Sequence, residues 1–145
     1  MISRSPAEET WRVVVPEEAV RFDVPPSADG RRALQAALAR LPRGSWVALC
    51  DSGVAARRRS RRLAARAGVR VVREYLAIPS VAAPLYLVED RPETLSYFWS
   101  RLLAFPFAEP ALALAELGRG LVRSLGVTRW TGWLGTGRLT VGWRA

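Results

Sequence analysis

The sequence predicts a small α/β domain, in which a βαβ unit and a C-terminal hairpin build a sheet flanked by helices. Three observations carry that prediction. An apolar run at Trp46–Cys50, an arginine-laden helical stretch over 54–67 and a Val-rich run over Val69–Ile78 follow one another with tight connections. Strand, helix, strand in that order implies parallel, right-handed pairing of the two strands. Leu34, Leu38 and Leu41 recur at i, i+4 and i+7 on an Ala-rich background, the period of a helix of about three turns. Gly135-Thr136-Gly137 offers a hairpin turn between Trp130–Leu134 and Arg138–Trp143.

Each element has a local reason. Trp11 to Val15 is a β-branched run ended by Pro16, which predicts a strand. Val20 to Val24 alternates apolar and polar residues and stops at Pro25-Pro26, so the two segments are expected to pair as a hairpin around Pro16-Glu17-Glu18. Ser27 to Gly30 is turn-rich and caps the helix that carries the three leucines; Pro42-Arg43-Gly44 ends it. Trp46–Cys50 is too continuously apolar for a half-solvated strand and is expected to be central. It runs into Asp51-Ser52-Gly53, a turn in which Asp51 or Ser52 caps the next helix. Gly68 closes that helix from the C-cap position. Pro79 to Pro84 is a loop, and Leu85 to Val88 a further strand. Asp90 is the expected cap of a helix with Pro92 just inside its first turn and Glu93 beside it. That helix carries Leu95, Phe98, Trp99 and Leu102, and another begins at Pro110 with Leu112, Leu117, Leu121 and Leu125. With no internal repeat and no boundary, residues 1–145 are expected to form one domain.

Composition removes many chemistries. The chain of 145 residues is 50% hydrophobic and 24% charged, enough to bury a core. All 22 basic residues are arginine, against 13 acids, for a net charge of +9; His and Lys are absent. Without His there is no imidazole base and no Ser-His or Cys-His pair; without Lys there is no Schiff base and no Walker lysine. One cysteine, Cys50, makes neither an intramolecular disulfide nor a zinc site, so no metal is expected. The N-terminal stretch has no apolar core, and the longest apolar run, Leu102 to Ala108, falls far short of the ~20 residues that span a bilayer. A cytoplasmic protein is expected, with a membrane-peripheral position as its variant.

Two features are candidates for a site. Asp51, Ser52 and Gly53 form a loop at the carboxyl end of a strand, where open α/β sheets commonly face a ligand crevice. Arg57, Arg58, Arg61 and Arg62 follow in the helix as anion-binding candidates, since helix N-terminal amides and guanidinium groups both hold anions. With Arg59 and Arg66 they make an arginine face opposite Ala56, Leu63, Ala64 and Ala67. A solvated basic surface explains that face without a ligand, and so does a genome that favours arginine. An electrostatic footprint for nucleic acid is the sharper explanation, although no cationic residue has an evident aromatic stacking partner. Aromatic residues over 97–107 together with the basic charge keep a peripheral membrane protein as a third reading.

Residues 33–90 resemble the C-terminal half of a class I S-adenosylmethionine-dependent methyltransferase. The stretch Leu41-Pro42-Arg43-Gly44-Ser45 is similar to the turn before that family's fifth strand, for which Trp46–Cys50 stands. Arg61-Arg62-Leu63-Ala64-Ala65-Arg66-Ala67-Gly68-Val69 is similar to the helix and glycine turn leading to its sixth strand, Val71 to Ile78, and Arg138 to Trp143 stands for the closing strand. Tyr75 to Ser80 and Pro84 to Val88 look like versions found in bacterial polysaccharide and lipid-carrier gene neighbourhoods. The family holds its cofactor with a first strand, a glycine-rich loop and an acid ending the second strand. Only some 30 residues precede the helix here and no Asp-x-Gly-x-Gly loop occurs, so no cofactor residue carries over. The resemblance therefore implies a Rossmann-like half-domain, an accessory or binding module without catalysis of its own. S-adenosylmethionine enters only if a partner supplies the missing half. The partners expected are a protein or a second copy, and an acidic polymer or anionic membrane surface.

Overall fold

The structure is a computed structural model that describes residues 10–11, 13–78, 80–84, 86–98 and 137–145. Among these, five strands and three helices follow in the order β1 (Val20–Asp23), α1 (Ala28–Ala39), β2 (Trp46–Ser52), α2 (Ala56–Ala67), β3 (Val69–Ile78), β4 (Tyr86–Glu89), α3 (Pro92–Tyr97) and β5 (Gly137–Arg144). The α/β class is as the sequence predicts. The expected helix from Pro110, the residues Trp99 and Leu102, and the hairpin arm Trp130–Leu134 lie outside the described residues.

The strands form one open mixed sheet in the order β1-β2-β5-β3-β4. β1 runs parallel to β2, with Val20 opposite Val47. β5 is antiparallel to β2 from Trp46↔Trp143 to Ser52↔Gly137, and antiparallel to β3 from Val69↔Arg144 to Ala77↔Gly137. β4 closes the far edge, antiparallel to β3. β2 and β3 thus point the same way, as the βαβ order implies, but they do not pair. A crossover fixes direction and not adjacency, and the turns flanking α2 leave a gap of two strand spacings, about 10 Å, that β5 fills. Both edges of β5 are occupied along its length, one by β2 and the other by β3.

The N-terminal expectation is corrected. Thr10 and Trp11 are helical, and the Val14 and Val15 N–H groups both donate to the Trp11 carbonyl, at 3.1 and 3.0 Å. Residues 13–15 form a turn before Pro16, with no strand among the described residues there, and β1 pairs with β2 in place of the expected hairpin. The reason is packing. A strand would send alternate side chains to opposite faces, whereas the turn delivers Trp11, Val14 and Val15 together onto Ala48, Cys50, Tyr75, Leu139 and Val141.

The other face of the sheet carries the helices. α1 begins at Ser27, whose Oγ accepts from the Gly30 N–H at 3.1 Å. It buries Leu34 and Leu38 with Val47, Leu49, Leu63, Ala64, Ala67 and Val69, while Leu41 packs against the same cluster. α2 ends at Gly68 with φ +68°, the left-handed C-terminal conformation that favours glycine. Its N-cap is Ala55, with no capping side chain, so neither Asp51 nor Ser52 serves that role. α3 has Pro92 in its first turn and Glu93 beside it, but Arg91 and not Asp90 is its N-cap. It packs Leu95 and Phe98 on Leu76 and Val88. No helix among the described residues is long and apolar enough to cross a membrane.

Cys50 is buried in the second face. Burial pushes its thiol up to about 11, and neighbouring Arg21 offsets only part of this. The thiolate is the reacting form, so alkylation of the native chain at pH 8 is expected to run about 100-fold slower than in denaturant, as a time course with iodoacetamide checks.

Candidate functional site

Alternation along β2 places Val47, Leu49 and Asp51 on the helix-covered face, so the strand delivers a carboxylate beneath α2. Asp51 is consumed there. Its Oδ1 accepts from the Ser52 N–H at 2.7 Å and from Arg59 Nη2 at 2.6 Å. Its Oδ2 accepts from Arg59 Nε at 3.1 Å and from the buried Ser60 hydroxyl at 3.2 Å. A forked guanidinium on a carboxylate is the strongest ordinary side-chain pairing, and Arg59 also donates to the Ser52 carbonyl. Ser52 and Gly53 are exposed beyond it.

Two more carboxylates lie on the same face. Glu74 accepts from Arg61 Nε at 2.9 Å on each oxygen, and from Arg61 Nη2. Asp90 follows β4, where its N–H donates to the Glu74 carbonyl at 2.7 Å. Its Oδ2 pairs with buried Arg138 of β5 and with Arg57 Nε at 3.3 Å. The side chain expected to cap a helix instead neutralises a guanidinium in the middle of the sheet. Arg138 is there because β5 alternates: Leu139 and Val141 enter the second core, which leaves Arg138 and Thr140 for the helix side. The Thr140 hydroxyl is buried with no hydrogen-bond partner among the described residues.

The result is a clamp. Three buried carboxylates from β2, β3 and the turn after β4 meet Arg57, Arg59 and Arg61 of α2 and Arg138 of β5. Hydrogen bonding to Asp51 and to Glu74 pushes the Arg59 and Arg61 guanidinium groups further above their ordinary values. Both therefore stay charged wherever the chain is folded. Chemically the arrangement orients α2 on the sheet; it holds no carboxylate free of a guanidinium to act as a base.

Of the candidates from the sequence, Asp51, Arg57 and Arg61 are brought into this cluster. Ser52 enters it only through its backbone N–H and carbonyl, Gly53 does not enter it, and Arg58 and Arg62 are exposed on the outward side of α2. Arg59, Ser60, Glu74, Asp90 and Arg138 complete the cluster; of these the sequence marks Arg59 only as part of the arginine face and Asp90 only as a helix cap. A signal existed for one of them: Arg73-Glu74 are consecutive within a strand, so one of the two must face inward.

A groove of about 430 Å³ lies beside α2 and the ends of β3 and β4, and not at 51–53. Arg61, Arg73 and Arg91 line it together with Glu74, Glu89 and Asp90. Arg61 pairs with Glu74 and Arg91 with Glu89, so the groove favours neither sign of ligand. Among the described residues no group of His, Cys, Asp or Glu is placed to hold a metal. Aromatic partners for arginine do exist, against expectation: Arg21 lies 4.4 Å over the Trp11 ring and Arg70 5.8 Å from that of Trp143. Both pairs come from cross-strand or turn packing that spacing along the chain does not display. Compared with protein-family models, with curated proteins and with solved structures, the chain has no match in any of the three.

Proposed function

We propose that this chain is a methyltransferase-like accessory or binding module that does no catalysis alone. The observation that carries this reading is the closed carboxyl end of β2, where Asp51 is filled by Arg59, Ser60 and the Ser52 amide. That is the position at which an open α/β sheet presents its ligand crevice. The three strands on which the resemblance rests, β2, β3 and β5, lie side by side, which supports the same reading. At the other end of the sheet β1 pairs only with β2 among the described residues, so its outer edge is where strands from a partner protein or a second copy would add. S-adenosylmethionine belongs to this reading only through such a partner, and a link to polysaccharide or lipid-carrier metabolism only through the resemblance.

Isothermal titration of S-adenosylmethionine into the isolated chain tests the proposal. No saturable heat is expected at millimolar ligand, and a clear one-site isotherm would overturn it.

A further inference from the structure

We infer that the outward face of α2 is a docking surface for the phosphate backbone of nucleic acid, built from Arg58, Arg62 and Arg66. The six arginines of α2 divide into two sets with different tasks. Arg57, Arg59 and Arg61 are tied to Asp90, Asp51 and Glu74. Arg58, Arg62 and Arg66 are exposed and make no ion pair among the described residues. At 3.6 residues per turn these three, at i, i+4 and i+8, fall within an arc of about 80°. That arc faces away from Ala56, Ser60, Leu63, Ala64 and Ala67, the buried side of the helix.

Geometry favours a phosphate polymer. Four residues advance about 6 Å along a helix, so the row extends about 12 Å. A duplex strand presents one phosphate per about 3.4 Å of axis, so that length meets about three phosphates. The helix has no acid among its twelve residues to oppose them. Because the clamp beneath fixes α2 on the sheet, the row is held as a unit and needs no folding on contact. A lipid surface fits less well. Membrane-bound helices turn an apolar face to the acyl boundary, whereas the apolar residues of α2 are spent in the core.

Fluorescence anisotropy of a labelled mixed-sequence 20-base-pair duplex DNA with the full chain tests this. Binding is expected to be independent of sequence. Its log K should fall against log salt with a slope of about −2.7, roughly 40-fold weaker at 200 mM than at 50 mM salt. Each of Arg58→Gln, Arg62→Gln and Arg66→Gln should remove about 0.9 from the slope. The triple variant should lose the salt dependence while its circular dichroism is unchanged. A control triple, Arg32→Gln, Arg40→Gln and Arg43→Gln, removes the same charge elsewhere and should keep the slope. Equal losses in both triples would show net charge alone and overturn the inference. So would the absence of binding at 50 mM salt, or binding to phosphatidylglycerol vesicles in its place.

Discussion

Asp90→Ala is expected to cost about 3–5 kcal/mol of folding stability, read as a shift of the midpoint in guanidinium unfolding. The size follows from where the partner sits. The side chains of Asp90 and Arg138 are 5% and 2% exposed, so the Arg138 guanidinium loses that carboxylate without gaining water. Arg57, 47% exposed, swings into solvent at little cost. Asp51→Ala makes the contrast. Its partner Arg59 is 28% exposed and has a way out, so a smaller loss of about 1–3 kcal/mol is expected. Removing both charges with Asp90→Leu and Arg138→Leu should recover part of the single-variant loss, since a buried pair replaced by apolar groups is often neutral. A cost below about 1 kcal/mol for Asp90→Ala would show that this pair does not hold the sheet to the turn after β4.

Gly142→Ala is expected to cost at least about 3 kcal/mol, the upper end of overpacking. A Cβ there would stand 2.4 Å from the Arg70 carbonyl oxygen and 3.0 Å from Val69 Cγ1. The site is the irregularity in the β3–β5 ladder, where Val71 faces Gly142 but Arg73 faces Val141, so Val72 is the extra residue. The obstructing atom belongs to backbone already committed to the ladder, and it cannot step aside as a side chain would. Gly68→Ala is the comparison. Its φ of +68° costs about 1–2 kcal/mol for a residue with a Cβ, but the nearest atom is the movable Arg144 Nη1. The expected order of unfolding midpoints is therefore Gly142→Ala below Gly68→Ala below the native chain, and equal midpoints would refute the steric account.

What was legible in the sequence is what depends on near neighbours. Ser27, the leucine period of α1 and the glycine after α2 are local signals, and each sits where the spacing puts it. Val20 to Val24 reads as a strand because its alternation survives at a sheet edge, where one side still meets solvent. The misreadings share one cause, tertiary packing overriding local preference. Trp11 to Val15 has strand composition, yet a turn packs Trp11, Val14 and Val15 against one cluster. Asp51 and Asp90 stand where caps belong, and their carboxylates are claimed by Arg59 and Arg138, eight and 48 residues further along the chain. Such partners lie in other elements, so no window along the chain contains them. The candidate site was thus half visible. The helix and its arginines could be found from composition, but which of them are spent inside and which remain outside depends on the rotation of α2 against the sheet.

The position of β5 has a kinetic consequence. The strand at the centre of the sheet is the last of the five in chain order, and its contacts span long loops: Trp46 with Trp143, and Val69 with Arg144. Closing loops of 97 and 75 residues comes late and slowly, because their entropy is lost before any contact is gained. During synthesis β1, β2, β3 and β4 emerge first, and until β5 arrives β2 and β3 each offer an unpaired inner edge. Such edges recruit other chains. The slot between β2 and β3 is therefore the place at which a neighbouring chain's strand would compete with β5.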